Sequence, residues 1–136
     1  MTGETQPARP LSPHLQIWRW HITMAASIAH RASGVALYAG LLILAAWALA
    51  LAADPIHFDR LTGALHSPVG LVVLFLITLA VFFHLANGVR HLVWDLGFGF
   101  RKQTADKTAL AVIAIAIAAT VLFWLRLSAL GALGHG

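Results

Sequence analysis

Cysteine is absent from this chain. That excludes disulfides, iron–sulfur clusters held by Cys and covalent attachment of a c-type haem. Charge is scarce too: charged residues fill 10% of the 136 positions and hydrophobic residues 60%. A soluble domain carries about a quarter charged residues, so the composition excludes one. Only five acidic residues occur, all outside the apolar runs or at their ends. An intramembrane carboxylate, which a proton or ion relay would use, is therefore missing.

What is present is three long runs without Asp, Glu, Lys or Arg: 32–53, 61–89 and 108–125. Each contains an apolar core close to the ~20 residues that cross a bilayer as a helix. The pattern predicts an all-α integral membrane protein with three transmembrane helices, forming one domain over 1–136. The helices are expected at about 22–53, 69–94 and 106–130, after a polar N-terminal segment, 1–21. The first is longer than a bilayer needs, so its first turns lie among headgroups or under another protein. Asp54-Pro55 is expected to end it, leaving an outer loop of about 54–68 with solvated His57 and His66. Gly97-Phe98-Gly99 is expected to break the second helix. The third, rich in Ala, Ile and Val with Thr120 as the polar residue of its core, reads as packing scaffold.

The formal net charge is +4, and its placement sets the topology. With three spans, Arg9, Arg19, Arg31, Arg90, Arg101, Lys102 and Lys107 share one side, against Arg60 and Arg126 on the other. The positive-inside rule puts the N-terminus in the cytoplasm and the C-terminus outside. Neither a signal peptide nor a transit peptide is expected. No basic patch interleaved with exposed aromatics points to nucleic acid.

Chemistry concentrates in two places. On the second span, His84, Gly88 and His91 follow one another at i, i+4 and i+7, on one helical face. A histidine at membrane depth is costly and needs a partner, and imidazole is a standard axial ligand of haem iron. Gly88 would let a flat cofactor approach the backbone. His84 and His91 project from one face, so they cannot ligate opposite sides of one iron. A haem held by His84, with its propionates toward His91, Arg90 or groups on the first helix, fits the arrangement. The competing reading is a buried His bonded to a neighbouring helix. Asp95 is expected to pair with Arg90 or Arg101, or to meet a partner subunit.

On the first span, Ser27, His30, Arg31 and Gly34 share a face. Ser and Arg one turn apart can both donate to one carbonyl oxygen. That suits a quinone, whose carbonyl gains negative charge on reduction and is favoured by Arg. The competing readings are Arg31 as a snorkelling topology anchor and Ser27 as a small packing residue.

Taken together, Arg9-Pro10-Leu11-Ser12-Pro13-His14-Leu15-Gln16, Ile22-Thr23, Ser27-x2-His30-Arg31-x-Ser33-Gly34 and His84-x3-Gly88-x-Arg90-His91-x3-Asp95 closely resemble the cytochrome b membrane-anchor subunit of succinate dehydrogenase, respiratory complex II. The resemblance implies a chain that is not catalytic alone and sits in the bacterial inner (cytoplasmic) membrane with its C-terminus periplasmic. Its partners would be a flavoprotein subunit, an iron–sulfur subunit and a second haem-binding anchor that completes the helical bundle, all amid membrane lipid. Electrons from succinate would pass through the iron–sulfur subunit to ubiquinone. By the same resemblance Ser27 and Arg31 contact the quinone, and Leu15 and Trp20 stand where apolar walls border its pocket. His84 ligates haem b, shared with the second anchor, while His30, Arg31 and His91 match positions near the propionates.

Three alternatives stay open at this point. One is the anchor of a quinol:fumarate reductase, the same architecture run in reverse. Another is a purely structural anchor without haem, in which His84 is an ordinary packed residue. The third is ligation within the chain, with His30 supplying the second ligand to the iron held by His84.

Overall fold

The computed structural model describes residues 18–131. Four helices follow in order: α1 (Ile22–Ala53), α2 (Pro55–His66), α3 (Pro68–Asp95) and α4 (Lys102–Ala129). Three of them, α1, α3 and α4, are long and apolar enough to cross a membrane.

The stretch expected as an outer loop is instead the helix α2, and the reason is local. Asp54 caps it, its carboxylate accepting from the backbone N–H groups of Ile56 and His57 at 2.8 and 3.0 Å. Pro55 takes the first helical position, where a missing N–H costs nothing. Ser67-Pro68 repeats the device for α3, with Ser67 Oγ accepting from Gly70 N at 3.1 Å. Each cap–proline pair thus ends one helix and starts the next. His57 and His66 are exposed, now on a helix.

α3 ends as Gly97-Phe98-Gly99 foretells. Gly97 and Gly99 adopt φ of 87° and 83°. Gly97 N–H bonds Trp94 O and Phe98 N–H bonds Val93 O, a Schellman closure. α4 begins a turn before the expected Asp106, at Lys102. Hydropathy marks the lipid-embedded part, whereas Lys102, Gln103 and Ala105 are good helix formers that extend the helix beyond it.

The packing inverts that of a soluble protein. Among the described residues the buried positions other than Val112 are small or polar: Ala26, Ser33, Ala80, Asn87, Ala109, Ala116 and Thr120 among them. Large apolar side chains such as Leu41, Leu49, Leu85, Leu92 and Leu122 point outward. Lipid is as apolar as leucine, so close backbone approach rather than leucine burial holds such helices together. Ala109, Val112, Ala116 and Thr120 form the α4 face turned to the bundle, and α4 packs most extensively on α3. α1 closes on α3 at Gly40, where a Cβ would come 2.9 Å from Ile77 Cγ2. α2 folds back against α1 and α3 at the end of the bundle where it joins them. A Cβ on Gly70 would lie 2.3 Å from the backbone oxygen of Ala64, so that corner admits only glycine.

Candidate functional site: stacked histidines between two spans

The face of α1 that carries His30 meets the face of α3 that carries His84 and His91. The His30 ring lies 4.0 Å from that of His84, centroid to centroid and 15° from parallel. It lies 5.0 Å from that of His91, at 17°. His84 and His91 start two turns apart on α3, about 10 Å at 1.5 Å per residue, so the His30 ring stands between them. Their faces meet rather than their nitrogens. Among the described residues no cluster of His, Asp or Glu converges to hold a bare metal ion.

Each ring on α3 has one nitrogen engaged. His91 Nδ1 donates to the carbonyl of Asn87 at 2.8 Å, which leaves its Nε2 turned away from the helix. His84 Nδ1 lies 2.9 Å from Ser33 Oγ on α1. Ser33 in turn donates to the carbonyl of His30 at 2.7 Å. Gly34 sits against the same ring, since a Cβ there would lie 3.5 Å from His84 Cε1. Nε2 of His30 is buried with no hydrogen-bond partner among the described residues. One turn below His84, Gly88 faces open space: among the described residues, nothing beyond its own helix backbone lies within 4 Å of where its Cβ would be.

Ser27 is half-buried and Arg31 exposed on the α1 surface, and among the described residues neither side chain hydrogen-bonds within the chain. Arg31 nevertheless neighbours His30, so the polar face of α1 continues from the histidine stack to the outside of the bundle. Trp20 is exposed just before α1, edge-on to Trp18 at 5.2 Å. Leu15 lies outside the described residues.

Arg90 does something other than expected. One position before His91, it turns toward α4 and is buried at 6% exposure. Its Nε donates to Thr108 Oγ1 and its Nη2 to Ala105 O, both at 3.0 Å. Nη1 donates to Asn87 Oδ1 at 3.3 Å, and the guanidinium sits 3.9 Å over the Trp94 ring. Arg90 therefore staples α3 to α4 and is not free to meet an acidic tail on the histidine face. Asp95 makes no ion pair with it or with Arg101; among the described residues the only such pair joins Asp54 and His57. Ser33 and Asn87 were given no role from sequence. Their signal was spacing: Ser33 follows His30, and Asn87 follows His84, by three residues, each a polar group at bundle depth.

These features define a three-span membrane subunit whose polar residues gather on one inner face, around histidine. Residues 5–123 match the family described as succinate dehydrogenase/fumarate reductase transmembrane subunit, and the chain belongs to that family. It is similar to the succinate dehydrogenase cytochrome b556 subunit of Rickettsia felis, 36% identical over 116 residues that cover 85% of this chain and 90% of the relative. The cytochrome b556 subunit of Paracoccus denitrificans is 36% identical over 114 residues, covering 84% and 88%. The mitochondrial cytochrome b560 subunit of Sus scrofa is 35% identical over 115 residues, covering 83% and 68%. The chain is thus a multi-pass membrane anchor of complex II, partnered with that enzyme's catalytic subunits.

Proposed function

We propose that this chain supplies His84 as one axial ligand of a haem b and Ser27 with Arg31 as hydrogen-bond donors to ubiquinone. A second anchor subunit would hold the haem from its other side. The chain would sit in a bacterial inner membrane, and the basic residues crowding the 1–31 and 90–107 ends of the spans support a cytoplasmic N-terminus and a periplasmic C-terminus.

The observation that carries the haem reading is the environment of His84. Its ring is half-buried in the inner half of α3, with Gly88 below it leaving room for a flat ring system. A buried polar atom without a partner calls for an explanation, and His30 Nε2, beside His84, is one. These residues fit a haem. His84 would hold the iron, the bare backbone at Gly88 would border the porphyrin, and His30, Arg31 and His91 would face the propionates. When bound, the haem supplies a one-electron carrier at membrane depth. The stacking of His30 on His84 supports a second ligand from another subunit, because the two rings meet face to face and do not turn their nitrogens toward a shared site.

For the quinone, the exposure of Arg31 supports the reading. A guanidinium on the bundle exterior at that depth is expensive against lipid, and a partner subunit covering it would enclose a site that Ser27 and Arg31 share. Their work there is to bind and orient the quinone and to stabilise negative charge on its oxygen. Leu15 and Trp20 would wall the pocket on its cytoplasmic side.

The test is a pair of assays on the assembled complex. Ser27→Ala and Arg31→Leu are expected to slow quinone reduction by about 100- to 1,000-fold, the range for loss of a preorganised donor. Succinate oxidation by an artificial dye is expected to persist. Equal loss of both activities contradicts the quinone assignment.

A further inference from the structure

We infer that Ser33 is the positioning residue for His84: it sets the tautomer and rotation of the imidazole, so that Nε2 is the nitrogen with the free lone pair. The inference rests on the haem reading above and adds to it a residue on the other span.

Ser33 Oγ is 2.7 Å from the carbonyl oxygen of His30 and 2.9 Å from Nδ1 of His84. A hydroxyl has one hydrogen, and a carbonyl has none. Two oxygens 2.7 Å apart need a hydrogen between them, so the Ser33 hydrogen goes to His30. Ser33 then offers His84 only lone pairs. An unprotonated Nδ1 at 2.9 Å would set acceptor against acceptor, so Nδ1 carries a hydrogen and donates it to Ser33. In a neutral imidazole the other nitrogen is then bare. The relay runs from His84 Nδ1–H to Ser33 Oγ–H to His30 C=O, and so ties the ring to the backbone of α1.

Two further facts strengthen the relay. Ser33 is only 7% exposed, so water does not compete for the bond. Gly34 adjoins the same ring, so α1 can close on α3 at the level where the relay forms. Metal-bound histidines characteristically donate their second N–H to an acceptor, which fixes the ring and raises its basicity. A more basic Nε2 favours ferric over ferrous iron. Ser33 therefore lowers the haem potential and tightens its binding.

The test uses the whole complex carrying Ser33→Ala, Ser33→Cys or Ser33→Thr, read by potentiometric titration of the haem and by electron paramagnetic resonance of its ferric form. Alanine is a good helix former, so α1 persists. Ser33→Ala is expected to keep a low-spin haem whose potential moves upward; a tenfold loss of ferric preference would be about 59 mV for one electron. Ser33→Cys, a weak acceptor, is expected to shift it the same way if the alanine variant fails to assemble. Ser33→Thr keeps a hydroxyl that can bond the same carbonyl and is expected to restore both signals. An unchanged potential in the alanine or cysteine variant, or a shift that threonine does not reverse, overturns the role of Ser33. A wild-type complex without low-spin haem, or a His84→Ala complex that retains it, overturns the haem reading itself and Ser33's role with it.

Discussion

The ring of His30 on α1 lies face to face with the ring of His84 on α3, 4.0 Å between centroids and 15° from parallel. Face-to-face rings cannot bind one iron from opposite sides, which bears on where the second haem ligand originates. His30→Leu is therefore expected to leave a six-coordinate, low-spin haem in the complex, with a perturbed potential. Conversion to a high-spin spectrum in this variant would make His30 the second ligand.

Gly88 and Gly70 make a matched pair for separating cofactor from fold. Among the described residues, a methyl added at Gly88 meets no atom beyond its own helix backbone, whereas one at Gly70 runs into the backbone oxygens of Ala64 and Leu65 at 2.3 and 2.5 Å. Gly88→Ala is expected to leave the helices intact, gaining up to about 1 kcal/mol in helix propensity, while Gly88→Leu lowers haem occupancy without unfolding the chain. Gly70→Ala is expected to push α2 from α3 and lower the yield of folded complex whether or not haem is supplied. Haem occupancy and thermal midpoint, measured on both sets, check this. Full haem occupancy in Gly88→Leu contradicts a porphyrin at that face.

Asp54 gives α2 a pH dependence. The backbone N–H of His57 is the main cause that holds its carboxyl below the ordinary 3.8, aided by the His57 side chain. A carboxyl whose folded value is depressed stabilises the fold above the unfolded value and loses that contribution as pH falls through the lower, folded one. Amides at the start of α2 are expected to lose protection from hydrogen exchange below about pH 3.8, after correction for intrinsic rates. Asp54→Asn, still a capping residue, is expected to keep α2 and remove the dependence. Identical profiles for the two proteins contradict the role given to the carboxylate.

The three spans were legible because a bilayer demands long charge-free runs, and 32–53, 61–89 and 108–125 announce themselves. So was the sharing of one face by His84, Gly88 and His91, since helical spacing alone implies it. α2 was misread because Asp54-Pro55 serves equally as a helix stop and a helix start, and hydropathy says nothing about a 12-residue surface helix. Arg90 was misplaced for a related reason. One residue from His91 is a rotation of 100°, enough to turn the side chain to α4, and which neighbour lies there is a tertiary fact. The approach of Ser33 to His84 joins residues 51 positions apart. Sequence placed each on its own span but carried no sign that the two would touch.

A reduced-minus-oxidised optical spectrum of the complex purified through this chain tests most directly whether His84 Nε2 holds a haem iron. A low-spin b-type signal is expected in the wild type, with its loss or conversion in His84→Leu and dye-linked succinate oxidation preserved in both. A low-spin signal that survives unaltered in His84→Leu would contradict that ligation.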